Sequence, residues 1–427
     1  MKKLMQTWRK LLMINKINQK FVQTENGKYP AEWQIKQLKD VCTIIVPMRD
    51  KPKQFEGGIP WVTLADIDGK FISDSNSGQY VTSTLADEMN LKILPINTIV
   101  CSCTATIGVC SIVQKELITN QQFVGLHPTE IDRDFLYYYI LSQVKNLENL
   151  AFGTVGGYIA KERFEDFQII FPKDIMEQKL IVNTLSNLDN QIENIKQQNK
   201  ILETFSYDFY KSLFGNFNEI NDLNNLNSVK LPNDWSIGTL SNNSLTKLLP
   251  SGITRFDNYK IYFDTSSVKI TTIVKPGKKV TMQTKPSRAN MQPKNKSIWF
   301  AKMMGSKKIL HFNDYSNHEI KNFILSTGFA GIESKDFAFY YILNFISSEL
   351  FQMKKDKFCN GTLMDSINRA GIDEIQIIIP PKPLLEKFNK LVKPIHEKIY
   401  FNKKLISNSK NIRDTLLPKL MSGEIRV

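Results

Sequence analysis

The most distinctive chemical feature of this sequence is a stretch of 49 residues, 265–313, with eleven basic side chains and no aspartate or glutamate. The basic residues are Lys269, Lys275, Lys278, Lys279, Lys285, Arg288, Lys294, Lys296, Lys302, Lys307 and Lys308. Each can neutralise a phosphate and release counterions, which gives affinity for nucleic acid without sequence preference. An ordinary solvated basic face would contain carboxylates over such a length, so the stretch favours a nucleic-acid-binding surface.

Within this stretch, the segment "PSRANMQP" carries side chains that suit base edges. Arg288 can pair with guanine, and Asn290 and Gln292 can pair with adenine. Our candidate DNA-contacting residues in this half of the chain are Lys278, Lys279, Lys285, Arg288, Asn290, Gln292, Lys294, Lys296 and Lys302.

The first half of the chain is less basic, and its best candidate is the loop "PMRDKPKQFEGG". Arg49, Lys51 and Lys53 precede a Gly-Gly turn there, and we include them as candidate DNA contacts. A plain surface turn explains the same residues equally well.

Residues for catalysis or for a cofactor do not assemble into any recognisable motif. "GSKK" at Gly305 lacks the upstream glycine of a phosphate-binding loop, and "GTVGGY" does not follow the strand-to-helix order of a nucleotide site. The histidines are scattered along the chain as His127, His311, His318 and His396. Cys101, Cys103 and Cys110 are close in sequence, but no histidine accompanies them as a zinc site would require. We therefore expect a non-enzymatic chain without cofactor or metal.

Composition points to an anionic partner in a reducing compartment. The 427 residues carry a formal net charge of +14, which favours nucleic acid first and membrane lipid second. The five cysteines do not form an even disulfide framework, so we expect a cytoplasmic location.

Two segments raise the question of a membrane. Ile93–Val113 is uncharged and long enough to span a bilayer, but Pro95, Asn97 and many β-branched residues favour buried strands broken by turns. The basic and apolar residues 1–28 have neither a continuous apolar core nor a cleavage site. We interpret them as a packed helix, with a membrane-surface helix as the alternative.

The chain repeats itself. "DFYKSLFGNF" is echoed 208 residues later by the C-terminal "LLPKLMSGEIRV", and "FQIIFP" is echoed by "IQIIIP" at the same offset. Gly153-Thr154 and Gly361-Thr362 share that offset, whereas "DFLYYYIL" and "DFAFYYIL" are separated by 202, as are "YPAEW" and "LPNDW". Five matches in one order predict two tandem copies of a domain-sized unit.

Each copy ends in a long helical pattern with apolar residues at alternating spacings of four and three, which predicts a coiled-coil seam. The first helix should begin near Asp174, which can cap it, and the second contains Pro394, which should kink or break it. The predicted seam positions are Ile181, Leu185, Leu188, Ile192, Ile195, Asn199, Leu202, Ser206, Phe209 and Leu213, then Phe388, Val392, Ile395, Ile399, Asn402, Ile406 and Ser409. We expect the two helices to pair with each other, with Asn199 and Asn402 fixing the register, rather than each packing on its own domain.

These patterns predict an α+β chain with two mixed α/β domains, each followed by a long helix. The expected parts are a basic lead-in at 1–28, a first domain at 29–172, a helix at 173–217, an Asn-rich linker at 218–229, a second domain at 230–380, and a second helix and tail at 381–427.

The sequence resembles the specificity subunit of Type I restriction–modification systems. "LPKLMSGEI" is similar to that family's C-terminal ending, "GGIPWVTLADI", "ATIG" and "TNQQF" to landmarks of its target recognition domains, and "KPSRAN" and "SIWFAKM" to a second class of such domain. The resemblance implies that each domain reads one half of a split, gapped target in double-stranded DNA and that the helices pair antiparallel as a spacer. It also implies docking to methyltransferase subunits, expected to number two, which use S-adenosylmethionine, and to ATP-driven endonuclease (translocase) subunits.

Three other functions compete with this one. A catalytic restriction or modification enzyme would need motifs that we do not find, and a structural or membrane-surface coiled-coil protein would not explain the acid-free stretch. A specificity subunit of a related system that cleaves on both sides of its site fits the sequence equally well.

Overall fold

The computed structural model describes residues 20–24, 27–48, 50–104, 106–151, 157–218, 231–360 and 365–426. The chain divides into two compact units. Unit 1 contains the described residues up to Asn194 together with those from Ile406 onward, and unit 2 contains Ile195–Leu405. Because both boundaries fall inside the long helices, each unit holds one mixed α/β domain and a part of each helix.

Domain 1, the mixed part of unit 1, is built from short strands and helices. Its strands are β1 (Phe21–Thr24), β2 (Gly27–Pro30), β3 (Gln34–Gln37), β4 (Cys42–Ile45), β5 (Ile59–Val62), β6 (Phe71–Ile72), β7 (Tyr80–Val81), β8 (Ile93–Leu94), β9 (Ile99–Ser102), β10 (Cys110–Val113), β11 (Leu117–Thr119), β12 (Phe123–Pro128) and β13 (Gln168–Phe171). Its helices are α1 (Leu38–Val41), α2 (Ser83–Glu88), α3 (Arg133–Ser142), α4 (Val144–Asn149) and α5 (Lys161–Glu165), and the long α6 (Ile175–Asn218) follows.

Domain 1 has one sheet in the order β4-β12-β9-β10-β6 and another in the order β7-β5-β11-β8. Strands β9 and β10 are buried along their whole length, because the uncharged segment Ile93–Val113 supplies apolar and small residues to both faces. That segment therefore folds as strands, as predicted, and does not form a transmembrane helix. Across the described ranges, no helix combines the length and apolarity that a membrane span requires.

Domain 2, the mixed part of unit 2, is assembled in a similar way. Its strands are β14 (Ser236–Thr239), β15 (Thr246–Leu248), β16 (Lys260–Phe263), β17 (Val268–Lys269), β18 (Thr272–Ile273), β19 (Lys278–Val280), β20 (Ala289–Met291), β21 (Ser297–Ala301), β22 (Ile309–Phe312), β23 (Phe323–Ser326), β24 (Phe329–Ser334), β25 (Cys359–Asn360), β26 (Ser366–Ile367) and β27 (Gln376–Ile379). Its helices are α7 (Asn317–Asn322), α8 (Phe339–Ser347), α9 (Glu349–Lys357) and α10 (Arg369–Asp373), and the long α11 (Lys382–Met421) follows.

The two domains share one topology, apart from β6 at the edge of the first sheet of domain 1, although their strand sequences differ. The order β15-β24-β21-β22 in domain 2 corresponds to β4-β12-β9-β10 in domain 1, and β19-β16-β23-β20 corresponds to β7-β5-β11-β8. The sheet that contains β5 and the sheet that contains β16 each have one parallel pairing, and it lies at the same place in the strand order. β5 pairs with β11 in domain 1, and β16 pairs with β23 in domain 2. The internal repeat found in the sequence is therefore a repeat of the fold.

The repeated motifs lie at equivalent places. β3 follows "YPAEW" and pairs antiparallel with β13 of "FQIIFP", and β14 follows "LPNDW" and pairs in the same way with β27 of "IQIIIP". The helix endings also match, but each packs on the domain of the other copy. The ring of Phe214 lies 6.3 Å from that of Trp235 in unit 2, and Gly423 packs against Pro30 and Trp33 in unit 1.

The long helices begin and continue largely as predicted. Asp174 accepts a hydrogen bond from the backbone N–H of Met176 at 2.9 Å, so it caps α6. α11 continues through Pro394 without a break, so the expected break is wrong. Phe209 was also misplaced, because it is 42% exposed while Tyr210 and Phe214 are buried. The seam shifts by one residue there because the end of α6 packs onto the aromatic core of domain 2.

Within unit 2 the two helices run antiparallel. Asn402 donates its side-chain amide to Asn199 Oδ1 at 2.9 Å, and His396 Nε2 lies 2.8 Å from Ser206 Oγ. Within unit 1, Arg413 of α11 donates to Asp189 of α6 at 2.7 Å. The predicted pairing of the helices, with the two asparagines in register, is confirmed.

Several predictions fall on residues outside the described ranges. They concern most of the basic lead-in (1–19), most of the linker (219–230), the repeated Gly-Thr pairs at 153–154 and 361–362, and Arg49.

Candidate nucleic-acid interface

Three connections of domain 2 bring two of the predicted DNA-contacting cations together. Arg288 precedes β20, Lys302 follows β21, and Gly328 lies in the turn between β23 and β24. The N–H of Thr327 donates to the Arg288 carbonyl at 2.8 Å, and the N–H of Lys302 donates to the Gly328 carbonyl at 2.9 Å. We call Arg288, Lys302 and the Gly328 turn the domain 2 cation cluster.

The turn itself allows the close approach. A methyl group added at Gly328 would lie 3.0 Å from Thr265 Cγ2 and 3.6 Å from Arg288 Nη2. Lys308 closes the other side of the cluster, since its Nζ donates to the Thr265 carbonyl at 2.8 Å. The cluster is thus built from turns that follow or precede strands, which hold the backbone in fixed positions.

In the part of the chain that the structure describes, the cations of this cluster lack a negative counterpart. Within the described ranges, neither the Arg288 guanidinium nor the Lys302 ammonium forms an ion pair with a carboxylate. Burial, and then the nearby charge of Arg288, lower the pKa of Lys302. A half-buried ammonium beside a second cation is stabilised most by a hydrogen-bond acceptor on a bound ligand.

A second basic surface lies on the edge strand β19. Lys278 and Lys279 are exposed there, and the Lys279 ammonium lies 4.6 Å from the centroid of the Tyr259 ring. Lys275 and Lys278 also line a small pocket beside Asp264. Exposed lysines on a sheet edge suit contacts with the phosphate backbone, which need charge but little orientation.

Other predicted contacts in domain 2 are engaged within the protein. Lys296 forms ion pairs of 2.6 Å with both Asp314 and Asp336. Burial opposes its charge, but the hydrogen bonds with these two carboxylates outweigh burial and raise the pKa of Lys296. Its charge is therefore already neutralised, and we leave Lys296 out of the proposed DNA-contacting surface.

The remaining candidates in this part of domain 2 have weaker internal partners. Gln292 accepts from Lys260 and donates to the Ile320 carbonyl, each at 3.3 Å. Asn290 donates to Ser251 Oγ at 2.9 Å. Lys285 donates to the Ala289 carbonyl at 3.4 Å, and Lys294 lies 3.8 Å from Glu333. Gln292 is half-buried and bonded on both sides of its amide, so a base contact would have to replace one of these bonds.

In domain 1, Lys51 and Lys53 are exposed on the loop before β5. The Lys51 ammonium lies 5.4 Å from the centroid of the Phe55 ring. The Gly-Gly turn after them is tightly packed, since Gly57 has a φ of 136° and an added Cβ would lie 2.4 Å from the backbone of Val81 and Thr82. The structure therefore keeps both lysines available on a well-anchored loop.

The domain 1 counterpart of the cation cluster carries different side chains. The N–H of Cys103 donates to the Gln122 carbonyl at 2.8 Å, as Lys302 does to Gly328. Ile159 donates to the Cys103 carbonyl, and Ile367 likewise donates to that of Lys302. Cys103 thus occupies the position of Lys302. It is buried and its pKa is raised to about 11, mainly by desolvation.

A groove of about 580 Å³ adjoins Cys103, and Gln121 and the half-exposed Tyr158 line it. Neither residue was predicted as a site residue. The segment "TNQQF" contained the signal, because it joins β11 to β12 as the Gly328 turn joins β23 to β24.

Comparisons with known proteins find relatives of this chain. The family model described as the Type I restriction modification DNA specificity domain matches residues 30–204. A Type I restriction enzyme MjaIX specificity subunit from Methanocaldococcus jannaschii is 29% identical over 95% of this chain and 96% of its own length. A HindI specificity subunit from Haemophilus influenzae is 29% identical over 39% of this chain and 38% of its own length.

A solved structure supports the fold. The crystal structure of a Type I restriction–modification S subunit from M. genitalium superposes with a TM-score of 0.50 at 19% identity. The match covers 95% of this chain and 99% of that one.

Proposed function

We propose that this chain is a specificity subunit of a Type I restriction–modification system, as its similarity to such subunits supports, and that its two domains each read one half of a split DNA target. As a specificity subunit it is a non-catalytic DNA-binding component. Its partners are DNA and the methyltransferase and restriction subunits of its system.

The observation that carries this proposal is that the two domains share a strand order but present different side chains at equivalent positions. Domain 1 and domain 2 repeat the same strand order. At equivalent positions domain 1 has Cys103 where domain 2 has Lys302. A duplicated frame with unlike side chains suits two half-sites of different sequence, because base contacts specify the sequence and the frame only positions them.

We assign the long helices the role of spacer. Within unit 2 the Asn199–Asn402 pair holds them at one register, and within unit 1 the Asp189–Arg413 pair does so. Tyr138 of domain 1 also donates to Asp189 at 2.6 Å, which ties that domain to its helices. Because an α-helix rises about 1.5 Å per residue, the number of residues in the helices sets the distance between the half-sites.

We propose that methyltransferase subunits, one for each recognition domain, dock on exposed apolar faces of the helices. In unit 2, Ile201, Phe205 and Phe209 follow one another at intervals of four on α6 and are 57%, 53% and 42% exposed. Phe401 and Leu405 are exposed on α11 of the same unit. Large apolar side chains that are exposed and grouped together are typical of a protein interface.

Phe205→Lys tests this docking surface. We expect the variant to co-purify less methyltransferase subunit than the wild type, because a charge would be buried in an apolar contact. Thr204→Lys, on an adjacent exposed position of the same helix, is the matched control. Equal co-purification of both variants would move the docking site elsewhere.

The function as a whole is tested by reconstitution. Purified chain incubated with DNA, S-adenosylmethionine, ATP and magnesium should neither methylate nor cleave the DNA. Adding the methyltransferase subunits of the same system should give sequence-specific methylation. Methylation or cleavage by the chain alone, or equal methylation by the other subunits without it, would contradict the proposal.

A further inference from the structure

The loop 302–308 of domain 2 is held from below by a buried lysine that sequence patterns did not single out. Lys355 of α9 is fully buried, and its Nζ donates to the carbonyls of Met303 at 2.9 Å, Ser306 at 2.8 Å and Ala301 at 3.4 Å. Its neighbour Asp356 accepts from the Gly305 N–H at 3.1 Å. Three carbonyls around one ammonium fix the path of this loop on both sides of Lys302.

Burying a lysine is costly, so its presence needs a reason. The fold alone does not supply one, since the residue 208 positions earlier in domain 1 is Leu147, which is equally buried. The short helix at the same place in the element order of domain 1, α4, is anchored by Leu147, which is apolar. What distinguishes domain 2 is the basic loop above Lys355, which carries Lys302, Lys307 and Lys308.

We propose that Lys302 and Arg288 read a guanine in the half-site of domain 2, and that Lys355 is the positioning residue that holds Lys302 for this contact. This inference rests on the proposed function and adds the base and the residues that read it. Domain 1, with Cys103 at the equivalent position, reads its half-site without this pair of cations.

The geometry favours a base edge over a phosphate. Exposed Lys278 and Lys279 are free to follow the DNA backbone, whereas Lys302 is half-buried and its backbone is hydrogen-bonded to Gly328 and Ile367. Because its backbone is held and its side chain is half-buried, the Lys302 ammonium has fewer directions open to it than an exposed lysine, which suits a base edge better than a phosphate. Guanine presents the acceptors N7 and O6 side by side in the major groove, and arginine and lysine are their usual partners.

The test uses the chain assembled with the methyltransferase subunits of its own system. Lys302→Met and Lys355→Met should each relax the same half of the methylated motif and leave the other half and the gap unchanged. Lys354→Met is the matched control, because Lys354 is also buried on α9 but donates to the Gln376 carbonyl instead of the loop. We expect it to leave both halves intact.

A modified base in the DNA shows whether Lys302 contacts a guanine or a phosphate. Replacing the guanines of the relaxed half one at a time with 7-deazaguanine removes N7. At one position this should slow methylation by the wild type roughly 5- to 150-fold and slow Lys302→Met little further. Equal slowing of both proteins at every guanine would overturn the guanine assignment. So would a Lys302→Met complex that methylates all sites more slowly with an unchanged motif, which is the behaviour of a phosphate contact.

A milder variant guards against loss of folding in Lys355→Met. Asp356→Asn removes the charge that accepts from Gly305 and lies 3.4 Å from Lys355 Nζ. It should relax the same half to a smaller degree at an unchanged melting temperature. If the methylated motif is unaltered in both Lys355→Met and Asp356→Asn, Lys355 does not position Lys302. A wild-type complex that yields no gapped motif would instead contradict the proposed function itself.

Discussion

Asn402 and Asn199, on opposite helices of unit 2, form a buried amide-to-amide hydrogen bond of 2.9 Å inside an apolar seam. A buried asparagine in another register would lose its partner, so the pair specifies the register at a cost in stability. Replacing only Asn402 by Leu leaves the Asn199 amide unsatisfied. We expect a loss of about 1–3 kcal/mol in the free energy of unfolding.

The double variant Asn199→Leu/Asn402→Leu is the informative comparison for this pair. Two leucines leave no buried polar group without a partner. The free energy of unfolding of the double variant in denaturant should therefore equal or exceed that of the wild type. A double variant as unstable as the sum of the single ones would mean that the pair does not act as a unit.

Gly423 is required at the C-terminal end of the chain for two separate reasons. Its φ is 69°, and an added Cβ would lie 2.5 Å from Pro30 Cγ and 3.2 Å from Trp33 Cζ2. We expect Gly423→Ala to cost about 1–2 kcal/mol for the left-handed backbone and about 1–3 kcal/mol for the clash. Gly78 is the matched control, since it has the same φ but no atom within 4 Å of an added Cβ. Equal losses of melting temperature for Gly78→Ala and Gly423→Ala would show that the helix ending does not pack on Pro30 and Trp33.

His396 should make the stability of unit 2 sensitive to acid. Burial, and then the charge of Lys403, lower the pKa of His396 to about 3. The unfolded state, with an ordinary pKa of about 6.5, binds the extra proton between these values, so stability is complete above about pH 6.5 and falls as the pH decreases towards 3. The loss is at most about 1.4 kcal/mol per pH unit.

Melting temperatures of the wild type and His396→Gln between pH 7.5 and 5 measure this effect. The variant should lose less stability on acidification, although it starts lower because the contact with Ser206 changes. An identical pH dependence for both proteins would contradict the prediction.

The salt dependence of DNA binding should separate free lysines from paired ones. Lys278→Ala/Lys279→Ala should lower the slope of log K against log salt by up to about two, since each phosphate contact contributes about 0.9. Lys296→Met should leave the slope unchanged, because Asp314 and Asp336 already neutralise that charge. Binding of the purified chain to a non-cognate duplex at several salt concentrations gives all three slopes. A larger fall for Lys296→Met than for the double variant would reverse the assignment.

The fold was predictable from the sequence wherever a pattern was periodic or repeated. The seam through Ile192, Asn199 and Asn402 follows from the spacing of apolar residues. The equivalence of the two copies follows from short matches such as "FQIIFP" and "IQIIIP". The exposure of Phe209 was not predictable, because it depends on the aromatic core that captures Tyr210 and Phe214. The sequence also did not predict that α11 continues through Pro394, which is exposed.

The candidate site was predictable in composition but not in detail. Counting charges identified the basic stretch, yet it did not distinguish Lys296, which two distant carboxylates neutralise, from Lys302, which has no such partner in the described chain. Lys355 carries no sequence signal at all, because a lysine in a helix normally reaches solvent. Only the fold places its ammonium beneath the loop 302–308.

Mapping of methylated sites tests most directly whether the paired helices set the gap between the two half-sites. The wild-type chain and a variant with four residues inserted near Asn199 in α6 only are each assembled with their methyltransferase partner. Four residues add about 6 Å of helix and about a ninth of a turn of rotation, so the gap should lengthen by about two base pairs while both half-site sequences persist. Altered half-site sequences with an unchanged gap would contradict the account.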